Sequence, residues 1–271
     1  MNPDSAVFGR RFRFSFLGYW NPYMFEFIAP LFLALQKATG LNFSPFYNEY
    51  DFSRLMTGVQ TSLLLIVCVL IVSLIVGLLG AAAQRSQFRV LRFLVAAYIA
   101  MFRNTPPVVQ LLFFYFGLGA LTPQVDMGGW YEPMISSFGW AVIALGIFGG
   151  SYNVEIFRAG IEAVPGTTLE ASEALAFSPV QTFIHVTMPL ALRFSLPALA
   201  SNLISLAKTT SIAYVIAVPE MTYALSGVWN DSLNVGEMMM LLFIYYISVV
   251  AVIGAIMGRL EKRLAVPGLG K

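Results

Sequence analysis

The chain has 271 residues, of which 58% are hydrophobic and 11% are charged, and its formal net charge is +2. A soluble domain carries about 25% charged residues, so this composition excludes an ordinary soluble protein and predicts an all-α integral membrane protein. The small net charge gives no reason to expect nucleic acid binding, and the single cysteine, Cys68, excludes an internal disulfide.

The first apolar stretch, Phe14–Leu35, is long enough to cross a bilayer. It is interrupted by polar residues and prolines, at Trp20-Asn21-Pro22, Glu26 and Pro30. Two interpretations therefore stay open, which are an extra membrane helix and an interfacial helix anchored by aromatic side chains. We expect residues 1–54 to form an N-terminal extension with a possible extra membrane helix.

Five later stretches are long and apolar enough to be core transmembrane helices, since a span needs about 20 apolar residues. They are Thr57–Ala83, Thr105–Leu121, Phe138–Phe157, Phe194–Val218 and Gly236–Gly258. Val90–Phe102 is predicted to lead into the second span along the cytoplasmic surface, because Val90–Leu121 is too long for one crossing. The prolines of Arg103-Asn104-Thr105-Pro106-Pro107 predict a helix break between these two pieces.

Basic residues predict the orientation of the spans. They follow the first span (Arg85, Arg89, Arg92 and Arg103), bracket the connection after the third and follow the fifth. The connections Thr122–Ser137 and Pro219–Val235 contain no Lys or Arg and are expected on the outer side. By the positive-inside rule, the connection after the third span and the C-terminus are cytoplasmic. We expect one helical domain over residues 55–262 and a cytoplasmic tail over residues 263–271.

The cytoplasmic connection after the third span contains helix start and stop signals of its own. Pro165-Gly166 ends one helix, and the spacing of Thr167 and Glu170 predicts a capping box that starts the next. Ser178, Pro179 and Gln181 predict a second capping box. The helix after it, Val180–Thr187, is expected to end before Pro189. Two short helices joined by a tight turn favour a rigid docking element, although an amphipathic elbow on the membrane is the alternative.

This connection resembles the coupling loop, or EAA loop, of permease subunits in bacterial ABC importers. Glu170-Ala171-Ser172, Phe183 and Pro189 match the motif, with Ala176 at the usual glycine position. The resemblance implies a type I ABC importer permease fold and a coupling loop at about residues 162–189 that docks on a separate ATPase. The residues implied in that docking are Glu170, Ala171, Ala174, Ala176, Ser178 and Phe183.

Two further segments are similar to the polar amino acid uptake branch of the same family. They are Phe102-Arg103-Asn104-Thr105-Pro106 with Val109-Gln110-Leu111, and Glu155-Ile156-Phe157-Arg158-Ala159-Gly160-Ile161 with Ala163-Val164-Pro165. The resemblance covers about residues 55–262.

The resemblance implies a multi-pass protein of the bacterial cytoplasmic (inner) membrane with several partners. These are two ATP-binding subunits, a second permease that is identical or homologous, and an extracytoplasmic substrate-binding protein. The chain has no Gly-x-x-x-x-Gly-Lys-Ser/Thr loop. We therefore expect a transporter subunit without catalytic residues, metal ligands or a cofactor of its own, whose partner ATPase binds ATP and Mg.

The substrate path should contain polar groups inside the membrane. Lys208 lies ~22 Å along its helix from Arg193, and an intramembrane charge is a functional hypothesis by default. The alternative is that it snorkels or pairs with Glu220. Neighbouring candidates for the path are Thr209, Asn202 and Ser205.

Gln110, Thr105 and Ser151 could line the same path or only join helices by hydrogen bonds. Glu155 and Arg158 are expected to pair with each other. Because Lys208 has no acidic neighbour on its span, we expect a neutral or acidic amino acid as substrate rather than a cationic one.

Two other functional classes stay open at this point. A secondary transporter is disfavoured because no internal repeat is detectable. An intramembrane enzyme is disfavoured because the spans carry neither paired carboxylates nor a His/Glu metal cluster. Dependence of uptake on a co-expressed ATPase separates these classes from an importer subunit.

Overall fold

The computed structural model describes residues 22–126 and 128–264, with the side chains described from Phe27 onward. Within these residues the chain forms ten α-helices and one β-hairpin. The helices are α1 (Pro22–Thr39), α2 (Glu49–Gln84), α3 (Arg89–Arg103), α4 (Pro107–Leu112), α5 (Ser137–Glu162), α6 (Gly166–Ala174), α7 (Pro179–Thr182), α8 (Met188–Thr209), α9 (Met221–Ser232) and α10 (Val235–Leu264). The hairpin pairs β1 (Gln124–Asp126) with β2 (Tyr131–Pro133) in antiparallel fashion.

Four helical segments are long and apolar enough to cross a membrane: α2, α5, the continuous run Pro179–Ile216, and α10. They correspond to the first, third, fourth and fifth predicted spans. The second prediction, Thr105–Leu121, meets a shorter apolar segment, Pro107–Leu121. In that segment α4 passes into a π-helical turn over Phe113–Leu118 and then a 3-10 turn over Gly119–Leu121.

The prediction that Val90–Phe102 lies along the cytoplasmic surface is wrong. Its helix, α3, packs on the middle of α5, where the Tyr98 hydroxyl donates a 2.5 Å hydrogen bond to the carbonyl oxygen of Ile147. Ile99 lies in the same buried cluster as Val154 of α5. Helix α3 therefore packs against the side of α5, and the predicted break between α3 and the segment Pro107–Leu121 is confirmed.

The N-terminal helix α1 continues through Pro30, so that proline does not interrupt it as predicted. The part of Phe14–Leu35 before Pro22 lies outside the described residues. The described apolar part, Phe27–Thr39, is shorter than a full span. Both interpretations of this segment thus stay predictions. The second half of α1 contacts the short 3-10 turn before α2 through the stacked rings of Phe32 and Phe46, whose centroids are 4.5 Å apart.

Helix α5 is the centre of the bundle because its glycines let two neighbouring helices approach closely. A Cβ atom at Gly146 would overlap Val72 of α2, and one at Gly160 would overlap Ser195 of α8. Small residues at such positions are typical of packing between membrane helices. Helices α2 and α8 thus flank α5, and α3 and α4 contact a third side of it.

The connection Pro219–Val235, predicted as an outer loop, is not a simple surface loop. Its helix α9 folds back along the first turns of α2, and the backbone N–H of Met221 donates to Ser62 Oγ at 2.8 Å. Near the other end of α9, Arg54 and Asp231 form an ion pair of 2.5 Å. The connection therefore returns into the bundle before α10 begins.

Candidate functional site

The predicted coupling loop contains α6 and α7, followed by a π-helical turn over Phe183–Thr187. We call Gly166–Thr187 the coupling segment. The capping box predicted for Thr167 and Glu170 is wrong: α6 begins at Gly166 with Pro165 as N-cap and has no side-chain cap. Thr167 therefore already lies inside the first turn, where its hydroxyl is not in the N-cap position.

The turn between α6 and α7 is a Schellman motif centred on Ala176. The N–H groups of Ala176 and Phe177 donate to the carbonyl oxygens of Glu173 and Ser172, at 2.8 and 3.1 Å. Ala176 has φ +59°, in the left-handed region that favours glycine. This geometry gives a physical reason for the glycine that the coupling-loop motif has at this position.

The second predicted capping box is confirmed. Gln181 N–H donates to Ser178 Oγ at 3.3 Å, and Ser178 N–H donates to Gln181 Oε1 at 2.8 Å. The expected stop before Pro189 is wrong, because the chain stays helical from Pro179 to Ile216. The π-helical turn directly precedes Met188 and Pro189, and its wider backbone can accommodate a proline ring. The coupling segment is thereby continuous with the membrane-crossing helix α8.

A hydrogen bond joins the two short helices. Ser172 is only 4% exposed, and its hydroxyl lies 3.0 Å from the hydroxyl of Thr182. The side chains around this hydrogen bond are largely exposed. All six predicted docking residues are exposed in the chain: Glu170, Ala171, Ala174, Ala176, Ser178 and Phe183. The arrangement is a pair of helices braced by a hydrogen bond, with an open surface that exposes small residues and also the apolar side chains of Leu175 and Val180.

Lys208 is exposed and makes no ion pair with any residue that the structure describes. The suggested pairing with Glu220 is not formed. Glu220 is buried and accepts hydrogen bonds from the N–H groups of Thr222 and Tyr223, both at 2.9 Å, as the N-cap of α9. The Lys208 ammonium is thus left on the uncovered side of α8.

Ser205 is exposed on the same side of α8, one turn before Lys208. The Thr209 hydroxyl is partly buried and donates to the carbonyl oxygen of Ser205 at 2.9 Å. Asn202 points instead into the bundle, where its Nδ2 donates to Asn153 Oδ1 at 2.8 Å. Asn153 in turn donates to Ser73 Oγ at 3.2 Å. Asn202 is therefore part of a buried network that joins α2, α5 and α8.

The other path candidates are held by local hydrogen bonds. Ser151 is fully buried and donates to the carbonyl oxygen of Phe148 at 2.7 Å. Gln110 is buried and its Nε2 donates to the carbonyl oxygen of Phe102 at 2.8 Å and to Thr105 Oγ1 at 2.5 Å. Gln110 and Thr105 are thus brought together across the break between α3 and α4, where they stabilise it.

Arg103 is a second exposed cation, and it is not among the predicted path residues because its position after the first span indicates a cytoplasmic flank. It ends α3, beside the middle of α5, and its guanidinium lies 5.0 Å from the centroid of the Tyr152 ring. Such a cation–π contact leaves hydrogen-bond donors free. The sequence signal for it was a charge directly at a proline break inside a long apolar stretch.

In the C-terminal part of α5, the predicted pairing of Glu155 with Arg158 is confirmed at 2.8 Å. Arg158 also pairs with Glu162 at 2.7 Å, and Gln84 Nε2 of α2 lies 3.4 Å from Glu155 Oε1. These contacts satisfy the charges locally. Among the described residues, His, Cys, Asp and Glu form no group of three or more that could hold a metal ion.

The chain is similar in sequence to known transport proteins. Residues 73–266 match the family model for the binding-protein-dependent transport system inner membrane component. The chain is 26% identical to the glutamate/aspartate import permease protein GltJ of Escherichia coli K12 over 229 residues, which are 83% of this chain and 93% of GltJ. It is 30% identical to the histidine/lysine/arginine/ornithine transport system permease protein HisQ of Salmonella typhimurium over 177 residues, which are 65% of this chain and 78% of HisQ.

Solved structures give a similar result. A crystal structure of an amino acid ABC transporter with histidines superposes with a TM-score of 0.69 at 26% identity, covering 86% of this chain and 98% of that one. An inward-facing structure of the MetNI methionine ABC transporter superposes with a TM-score of 0.64 over 81% of this chain. At 17% identity, that second match shows the fold alone.

Proposed function

Because the chain belongs to the family of binding-protein-dependent transport system inner membrane components, as a permease subunit of a polar amino acid ABC importer, we propose that its coupling segment docks on a separate ATPase. The observation that carries this proposal is the braced, exposed pair α6 and α7. The ATPase would bind ATP and Mg, and an extracytoplasmic binding protein would deliver the amino acid. The chain itself is a transporter component and not an enzyme.

The coupling segment is joined to the membrane helices without a break in the helix. A docking element transmits movement only if it is stiff and joined stiffly to the part that must move. The hydroxyl contact between Ser172 and Thr182 and the Schellman turn at Ala176 stiffen the pair. The unbroken helix from Pro179 to Ile216 joins it to the membrane. A displacement of α6 is therefore expected to be transmitted to α8, the helix that carries Lys208.

The two mid-membrane cations support a preference for neutral or acidic amino acids. Lys208 and Arg103 are both exposed and form no ion pair with a described residue. A cationic side chain would meet repulsion from both, whereas a carboxylate would be attracted. The names of the relatives GltJ and HisQ refer to acidic and mainly basic substrates respectively. We therefore choose between these substrate classes by the charge of Lys208 and Arg103.

The uncovered side of α8 also supports a second permease subunit, identical or homologous. Ser201, Ser205 and Lys208 follow one another along this side of the helix and are all exposed. Polar side chains within a membrane are costly unless they face protein or a water-filled cavity. A facing permease would enclose them in a path, and we propose Ser205, Lys208 and Arg103 as its lining, with Thr209 at its edge.

We also propose the orientation and extent of the domain. The permease domain covers residues 55–262, with an N-terminal extension before it and a tail over residues 263–271. Arg85 and Arg89 lie at the same end of the bundle as α6, and Lys262 and Arg263 lie in the last turn of α10. The positive-inside rule then puts this end and the C-terminus in the cytoplasm of a bacterial inner membrane protein.

The experiment is uptake of labelled amino acids into proteoliposomes. They should contain this chain with the second permease and the ATPase from the same genetic neighbourhood, with the binding protein added outside. We expect uptake of glutamate or glutamine that exceeds uptake of arginine and that stops when the P-loop lysine of the ATPase is changed to alanine. Uptake that persists with the inactive ATPase would favour a secondary transporter, and preferential arginine uptake would refute the substrate preference alone.

A further inference from the structure

An apolar groove lies beside the coupling segment, at the ends of α2 and α5 and the start of α8. Its volume is about 240 Å³. Leu78 of α2, Phe157 and Ile161 of α5, and Met188 and Leu192 of α8 supply most of the wall. The groove shares only Phe183 with the predicted docking residues, and it does not include the uncovered side of α8 that carries Lys208.

One cationic residue, Arg85, lies in the wall of the groove. Arg85 follows the last turn of α2, is exposed, and is the only charged residue among those that line the groove. Its guanidinium lies 5.7 Å from the ring centroid of Phe183 and forms no ion pair with any described residue. The one polar wall residue, Ser195, donates to the carbonyl oxygen of Ala191 at 2.8 Å and is thus already satisfied.

An apolar groove with one charged lining residue, which forms no ion pair with a described residue, has the chemistry to hold an amphiphile with an anionic head. Ordered water would be bound only weakly in this groove, because a buried water molecule needs two to four polar partners. Arg89 and Arg92 are exposed on the adjoining turn of α3 and add positive charge. Basic sites between membrane helices on the cytoplasmic side suit anionic lipid headgroups.

We propose that this groove binds an anionic phospholipid of the cytoplasmic leaflet. One acyl chain would lie between α2 and α8, and the phosphate would lie at Arg85. This inference rests on the proposed orientation, which puts this end of the bundle at the cytoplasmic membrane surface. Phe183 and Met188, at the junction of the coupling segment and α8, form part of the site. A bound lipid would therefore stabilise the position of the coupling segment against the membrane helices.

The test is native mass spectrometry of the assembled complex, released from nanodiscs that contain equal parts of phosphatidylglycerol and phosphatidylcholine with the same acyl chains. We expect phosphatidylglycerol to be retained in preference to phosphatidylcholine. Arg85→Gln should lower that retention about fivefold, the effect of losing one arginine near an anionic headgroup. Ala82→Trp, which fills the groove, should lower retention of both lipids, and Arg89→Gln serves as the matched control outside the groove.

Several results would overturn the proposal. Equal loss in Arg85→Gln and Arg89→Gln would mean diffuse surface attraction. Unchanged retention in both Arg85→Gln and Ala82→Trp would mean that no lipid occupies the groove. Displacement of the lipid by inorganic phosphate would mean an anion site without a role for the acyl chain, and retention only by the isolated chain would mean that a partner subunit fills the groove. None of these results bears on ATP-dependent uptake, so the two proposals fail separately.

Discussion

The left-handed residue in the coupling segment gives a prediction whose size follows from the backbone. Ala176 has φ +59°, a conformation that costs an L-residue about 1–2 kcal/mol. Glycine avoids that cost but loses about 0.5–1 kcal/mol in chain entropy on folding. Ala176→Gly should therefore stabilise the turn between α6 and α7 by about 0.5–1 kcal/mol.

Amide hydrogen exchange measured by mass spectrometry reports this local stability. In Ala176→Gly, the peptide that contains Phe177–Thr182 should exchange about two- to fivefold more slowly. Ala171→Gly, in the middle of α6, is the matched control and should speed exchange, because glycine costs about 1 kcal/mol inside a helix. Equal or faster exchange in Ala176→Gly would refute the assignment of strain to this turn.

Three further predictions concern docking, the path and packing. Glu170→Lys should leave ATP hydrolysis by the complex active but uncoupled from uptake, whereas Glu170→Gln should retain uptake; a normal uptake rate for both would mean that α6 does not dock through this charge. Lys208→Gln should raise the KM for glutamate about tenfold or more, the loss of one charged hydrogen bond, and Lys262→Gln in the last turn of α10 should not. Gly160→Ala should prevent recovery of folded chain from detergent, because its Cβ would overlap Ser195 Oγ and lie 2.6 Å from a carbonyl oxygen of α8. Adding Ser195→Ala should restore part of the yield. A double variant with a yield no higher than that of Gly160→Ala alone would contradict this packing.

Local signals in the sequence predicted local features well. The capping box at Ser178 and the break at Arg103–Pro107 both depend on a few consecutive residues, and both are found. The signal at Thr167 was misleading because Pro165 takes the N-cap position and the helix begins two residues earlier than the capping box required. Pro189 did not end its helix because the π-helical turn before it accommodates the ring.

The depth of a residue in the membrane could not be predicted in the same way. Arg103 was interpreted as a cytoplasmic flank, yet Tyr98, on the same helix, bonds to the middle of α5. Likewise, Lys208 and Asn202 lie on one helix with similar surroundings in sequence. Only packing against α5 partly buries Asn202 and leaves Lys208 exposed. Which side of a membrane helix is covered depends on its neighbours, and the residues of one helix do not contain that information.

The docking of α6 and α7 on a separate ATPase is the central claim, and co-purification tests it most directly. A tagged chain should be isolated from its native membrane in gentle detergent with ATP present, beside a variant with Ala171→Arg and Ala174→Arg on the exposed surface of α6. The account predicts that a protein with a P-loop ATP site accompanies the wild-type chain and is lost from the variant. Recovery of the wild-type chain without any ATPase, or equal recovery of the ATPase with the variant, would contradict it.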